Sequence, residues 1–177
     1  MIFIIITLVI CILLFIYVIF KDKFSFINIK INNIEEKIKS TLIKRKNLLE
    51  ESQEIIKKTL KTNKEIYIDF EELNNPNLSM IELDRALLIH VNEFYSIVEK
   101  YKKLNKNEDF KKIIYSIKET EDLLNAYKEY YNEVSSKYNK LISIFPINIL
   151  SFIKRKKKKD FFDKKSINDN DYYDFKY

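Results

Sequence analysis

The chain has 177 residues, no glycine, two prolines and a formal net charge of +6, a length that fits one membrane element plus one modest domain with a single core. The missing glycines take away the usual materials of tight hairpins, multi-stranded sheets and phosphate-cradling loops, which argues against β-rich folds and nucleotide-cradle enzymes and leaves helices. The charge is local, because Lys154 to Lys159 is an unbroken cationic run and outside it the basic residues only equal the 26 acidic ones in number.

Ile2 to Phe20 carries no charge. As a helix it would be about 28 Å long, close to the roughly 30 Å thickness of bilayer hydrocarbon, so it is read as a membrane anchor over 1–20. A removed signal peptide needs a cationic start, a shorter apolar core and a small-residue cleavage site, none of which precedes Lys21. Cys11, the only cysteine, lies among bulky apolar residues, so neither a disulfide nor a lipoprotein site is read there. Lys21, Lys23, Lys30 and Lys37 all follow the span. The positive-inside rule therefore places the N-terminus outside and the bulk of the chain in the cytoplasm.

A juxtamembrane segment is expected over 21–25 and a helical bundle over 26–159. Ile27, Ile31, Ile34, Ile38, Leu42, Leu49, Ile55 and Ile56 recur at helical steps to about Lys61, with Arg45 and Ser52 interrupting the stripe. Ile66 to Phe70 reads as an extended connector into the Asn74-Asn75-Pro76-Asn77 turn. Ser79 and Glu82 have capping-box spacing, and Leu83, Leu87, His90, Phe94, Ile97 or Val98, Tyr101 and Leu104 form a second stripe. After a turn at Asn105–Asn107, a third helix carries Phe110, Ile113, Ile114, Ile117, Glu121, Leu124, Tyr131, Val134, Tyr138, Leu141, Ile142 and Phe145. Pro146 opens a short fourth helix through Ile153, and 160–177 reads as a mobile tail without sustained periodicity. The fold class is thus all-α: an N-terminal transmembrane helix, then an antiparallel bundle of three long helices and a short fourth.

Tyr131-Asn132 and Tyr138-Asn139 lie seven residues apart, about 20° short of two helical turns, the spacing of a packed, coiled-coil-like seam. Together with the uncharged span, the basic element Leu42 to Leu49, Glu99-Lys100-Tyr101, Leu104, Phe110, Thr120-Glu121, Tyr127 to Asn132 and Phe145-Pro146, these pairs make the chain resemble the LemA family. The resemblance runs from the anchor to about Phe162 and implies a membrane-anchored antiparallel helical bundle of bacterial origin, in the cell membrane. It supplies no catalytic residue, and the family's general molecular role is unassigned. Glu50 and Lys102 stand where the family commonly has proline, which puts local helix bends in question.

No catalytic constellation, metal set or cofactor site is read, so an enzyme is not expected. His90, the only histidine, sits in an apolar stripe without a Glu-x-x-His companion and reads as a satisfied core residue. Arg45 and Glu121 fall on apolar faces and form a candidate register pair. Asn132 and Asn139 are expected to bond between helices beside the seam. The candidate interaction patch comprises Lys44, Arg45 and Lys46, with Phe152, Lys154, Arg155, Lys156, Lys157, Lys158 and Lys159. If the first helix leaves the bilayer, the second returns and the third leaves again, the cationic run lies distal to the membrane. That favours a solvated or partner-facing patch over anionic lipid, with nucleic acid below both. The expected function is protein association or membrane organisation by a single-pass, noncatalytic protein. The alternative is a membrane-associated sensor or enzyme accessory domain that holds a small ligand between helices near His90 or Glu121.

Overall fold

Among the described residues the long elements are three α-helices, α1 (Ile2–Leu60), α2 (Met80–Lys100) and α3 (Glu108–Ser143), with a short 3-10 turn at Leu104–Lys106 between the last two. The computed structural model describes residues 1–61, 73–145, 148, 151–152 and 155–162, among which there is no strand. The expected extended connector at Ile66 to Phe70 and most of the expected short fourth helix lie outside those residues.

The apolar span and the amphipathic segment form one unbroken helix, and the expected juxtamembrane stretch 21–25 is helical. No proline or glycine precedes Pro76, so nothing local interrupts the ladder. α1 ends where Lys61 takes φ 52°, the left-handed geometry that closes helices. Lys57 and Lys58 sit in its last turn, where cations complement the helix dipole. By length and composition α1 holds a segment fit to cross a membrane, and none of that segment is buried. A helix from a soluble core would be covered.

Two compact units divide the chain. The first contains Met1–Glu36 and Glu129–Phe162. Here Phe24 of α1 stacks near Tyr138 of α3, with ring centroids 5.5 Å apart, and further along α1 Glu35 acts electrostatically on Tyr131. Position numbers rise on one helix as they fall on the other, so these stretches run in opposite directions.

The second unit contains Lys37–Lys128. Its core includes Ile38, Leu42, Leu49 and Ile56 of α1, Leu87, Val91 and Phe94 of α2, and Phe110, Ile117 and Leu124 of α3. Each such side chain contributes about 1.5–3 kcal/mol when fully buried. α2 starts at the expected capping box: Ser79 Oγ accepts from the Glu82 amide and Glu82 Oε2 accepts from the Ser79 amide. Asn107 Oδ1 accepts from the Asp109 and Phe110 amides at the start of α3, so the tight turn is capped by a side chain in place of glycine.

The alternating path is corrected by contacts inside this unit. Asn74 accepts a hydrogen bond from Lys46, so the chain has already returned alongside the middle of α1 before α2 begins. Asp84 meets Lys128, and Phe94 meets Phe110, so α2 opposes α3. Arg45 meets Thr120, and Lys37 approaches Tyr127, so α3 also opposes α1. In this unit α2 therefore runs in the same sense as α1.

The stripes need smaller corrections. Tyr101 and Phe145 are exposed, whereas Val91 and Asp84 are buried. α3 ends at Ser143, two residues before Phe145.

Candidate functional site

The site is a cationic strip in the first unit. Lys156 donates its amide to Ser151 O at 2.9 Å and Arg155 to Phe152 O at 3.0 Å, the bond pair of a Schellman cap. Arg155 occupies its left-handed position with φ 48°, a place usually given to glycine, which this chain lacks. The cap turns the chain out of its helical residues Ser151 and Phe152 and into an extended path.

Two asparagines then hold that path against α3. Asn139 Nδ2 donates to Lys159 O at 2.8 Å and its Oδ1 accepts from Lys159 N at 2.7 Å. Asn132 repeats the arrangement on Phe162, both bonds at 2.8 Å. Seven residues of helix rise about 10.5 Å, and three residues of extended chain cover about 10 Å, so the two spacings match. The asparagines were expected to bond between helices. Instead each side-chain amide imitates a strand neighbour for the strip.

The tyrosine preceding each asparagine faces inward. Tyr131 lies edge-on to Phe162 with centroids 5.2 Å apart, and Tyr138 meets Phe24. Burial pushes both phenols above their ordinary pKa. Phe162 is 3% exposed, so the packed strip continues past the expected bundle limit at residue 159. The rest of the expected tail, 163–177, lies outside the described residues.

Only part of the cationic run is used internally. Lys159 Nζ binds Glu35 Oε1 at 2.8 Å. Burial opposes its charge, but the Glu35 carboxylate more than compensates and raises the Lys159 pKa. Lys156 Nζ stands 5.4 Å from the Phe24 ring centroid, within cation–π range. Arg155, Lys156, Lys157 and Lys158 are exposed, as is Phe152 at 86%; Lys154 lies outside the described residues. Phe24 is four residues past Phe20, about 6 Å along the helix, and Glu35 is about 22 Å past it. The run was expected far along the bundle from the apolar segment; its Lys156 end instead lies beside Phe24, just past that segment, because α3 runs back along α1.

The expected basic element behaves differently. Lys44 is half exposed and pairs with Glu119 at 3.1 Å. Lys46 binds Asn74 and approaches Glu50 at 3.8 Å. Arg45 is buried, donating from Nε to Thr120 Oγ1 at 3.2 Å, and Thr120 in turn donates to Ile117 O. Its Nη2 has no hydrogen-bond partner among the described residues. The three side chains therefore do not present one outward cationic face.

Burial lowers the Arg45 pKa, while the charges of Asp84 and Glu121 act in the other direction. Burial likewise raises that of Glu121, with Arg45 opposing. The register pair is thus an electrostatic neighbourhood, and the direct partner of Arg45 is the residue before Glu121. The part-buried Asp84–Lys128 pair at 2.9 Å was missed from sequence; the available signal was an acidic residue between Leu83 and Leu87 in the α2 stripe.

His90 Nδ1 lies 3.0 Å from Glu93 Oε2 one turn along α2. No cluster of three potential metal ligands occurs among the described residues.

A model of the LemA family matches residues 34–172. No curated protein and no solved structure is significantly similar to the chain.

Proposed function

The chain belongs to the LemA family, and we propose that it is a noncatalytic, single-pass membrane protein whose helical part organises the membrane or its protein neighbours. In this reading Ile2–Phe20 crosses a bacterial cell membrane, the N-terminus lies outside, and an antiparallel bundle lies in the cytoplasm. The lysines that follow the span support that direction. The family is generally membrane-associated and its function unsettled, so the role is argued from the site.

One observation carries the proposal: the exposed cations Arg155 to Lys158 lie between the cap at Arg155 and the Asn139 clamp on Lys159, with Lys156 beside Phe24 just past the span. A fixed charged surface loses less conformational entropy on binding than a mobile lysine tail. Lys159 belongs to the scaffold through Glu35, so the contact surface comprises Phe152 and residues 155–158. The partner class is a membrane-proximal protein with an acidic surface, within about a Debye length of the headgroups.

Proximity labelling from the C-terminus in native membranes should compare the natural chain with a variant carrying glutamine at 155–158. Reproducible protein neighbours lost in that variant support the reading. An unchanged neighbour set removes the strip from the mechanism.

A further inference from the structure

A second surface of the first unit has a different character from the strip. Phe26 and Ile27 of α1 and Ile144 just after α3 form part of the apolar floor of a shallow groove, with Lys23, Lys137 and Lys140 also among its lining residues. Phe26 is 60% and Ile144 42% exposed, and the three lysines are exposed as well. Glu133 pairs with Lys137, and Asp22 is the acidic neighbour of Lys23 in sequence. Lys23 and Lys140 form no ion pair among the described residues.

Depth decides what can reach this groove. Lys23 lies about 4.5 Å and Ile27 about 10 Å beyond Phe20 along the helix. The headgroup layer adds about 5–7 Å per leaflet to the hydrocarbon. Lys23 thus falls at phosphate level, while Ile144, six residues past the Tyr138 that meets Phe24 on a helix running back along α1, lies about 9 Å nearer the span. Exposed apolar side chains at that level, bordered by cations, match an amphiphile with a negative head.

We propose that this groove seats an anionic phospholipid from the bilayer that the span crosses, with its upper acyl chain against Ile144, its phosphate among Lys23, Lys137 and Lys140, and its headgroup toward Phe26. The seat rests on the reading of Ile2–Phe20 as a membrane span. It adds a specific lipid contact to the protein-facing strip. Each lysine near an anionic surface contributes roughly a fivefold gain in binding, so the lysines and the apolar floor act together.

The test uses the full chain in nanodiscs of equimolar phosphatidylcholine and phosphatidylglycerol, with retained lipids counted by native mass spectrometry. The natural chain should retain phosphatidylglycerol preferentially. K23Q/K137Q/K140Q should lower that preference by about tenfold or more, since three roughly fivefold contributions are removed. F26S/I144S, which keeps every charge, should lower retention comparably. The charge-matched K39Q/K58Q/K118Q variant should leave it unchanged. Circular dichroism checks that each variant keeps the helix content of the natural chain.

Unchanged retention in either groove variant overturns the seat, as does an equal loss in the charge-matched control, which would indicate diffuse attraction. Doubled mass without retained lipid would assign the groove to a second copy and also overturn it. Extraction of the chain from vesicles by alkaline carbonate would instead overturn the membrane-span reading, and the seat with it. Chain retained in vesicles without lipid preference removes the seat alone.

Discussion

At Arg45 and Glu121 the sequence located two charges on apolar helix faces, and periodicity was sufficient to mark them as unusual. It could not resolve which atoms meet, because neighbouring residues on α3 point about 100° apart and a small helix rotation changes the partner. The structure gives the hydrogen bond to Thr120 and leaves Glu121 to act by charge. Glu121 has a pKa raised above the ordinary 4.5 by burial, with Arg45 working against the shift. A raised carboxyl pKa means that the fold favours the protonated form. The resulting stability is fully present below pH 4.5 and is lost as pH rises through the raised value. Denaturant titrations of the full chain in micelles, compared with Glu121→Gln, should show that slope in the difference between the two proteins across the acidic range. A difference independent of pH would show that Glu121 titrates alike in the folded and unfolded states.

The elements were legible to unequal degrees. The start of α2 was readable because a capping box is a local pattern whose bonds join residues three apart, and both bonds are present. Ser79→Ala removes the hydroxyl that accepts the Glu82 amide and should lower unfolding free energy by about 1 kcal/mol, measured by urea titration followed at the helical circular dichroism band. No loss would mean that solvent caps the exposed helix start equally well. The direction of α3 was not legible. A stripe identifies the buried face of a helix, but not whether the preceding connector or the preceding helix makes the return journey. Lys46–Asn74 settles that within the second unit, through a contact between residues too far apart in sequence for periodicity to register. The Tyr-Asn pairs were similarly half readable: the tyrosines pack as expected, while the asparagines bind an extended segment whose course has no periodic signature.

For the molecule as a functional object, the sequence supplied the span, the helical class and the cationic run, and the structure changed the position of the run relative to the span. In the first unit α3 runs back along α1, the Schellman cap at Arg155 redirects the chain, and Asn139 and Asn132 hold the next residues in register. The function proposed above depends on this placement, since cations far beyond a Debye length from the headgroups would be screened from the membrane. The most direct measurement is paramagnetic relaxation of a nitroxide attached at position 156, with Cys11 replaced by alanine, in bilayers containing a nickel-chelating headgroup lipid. The label should relax strongly in the otherwise natural chain and less strongly when Asn132 and Asn139 are both replaced by alanine and the strip is released. Relaxation no faster than in nickel-free bilayers would contradict the membrane-proximal strip and return the cationic run to a position away from the headgroups.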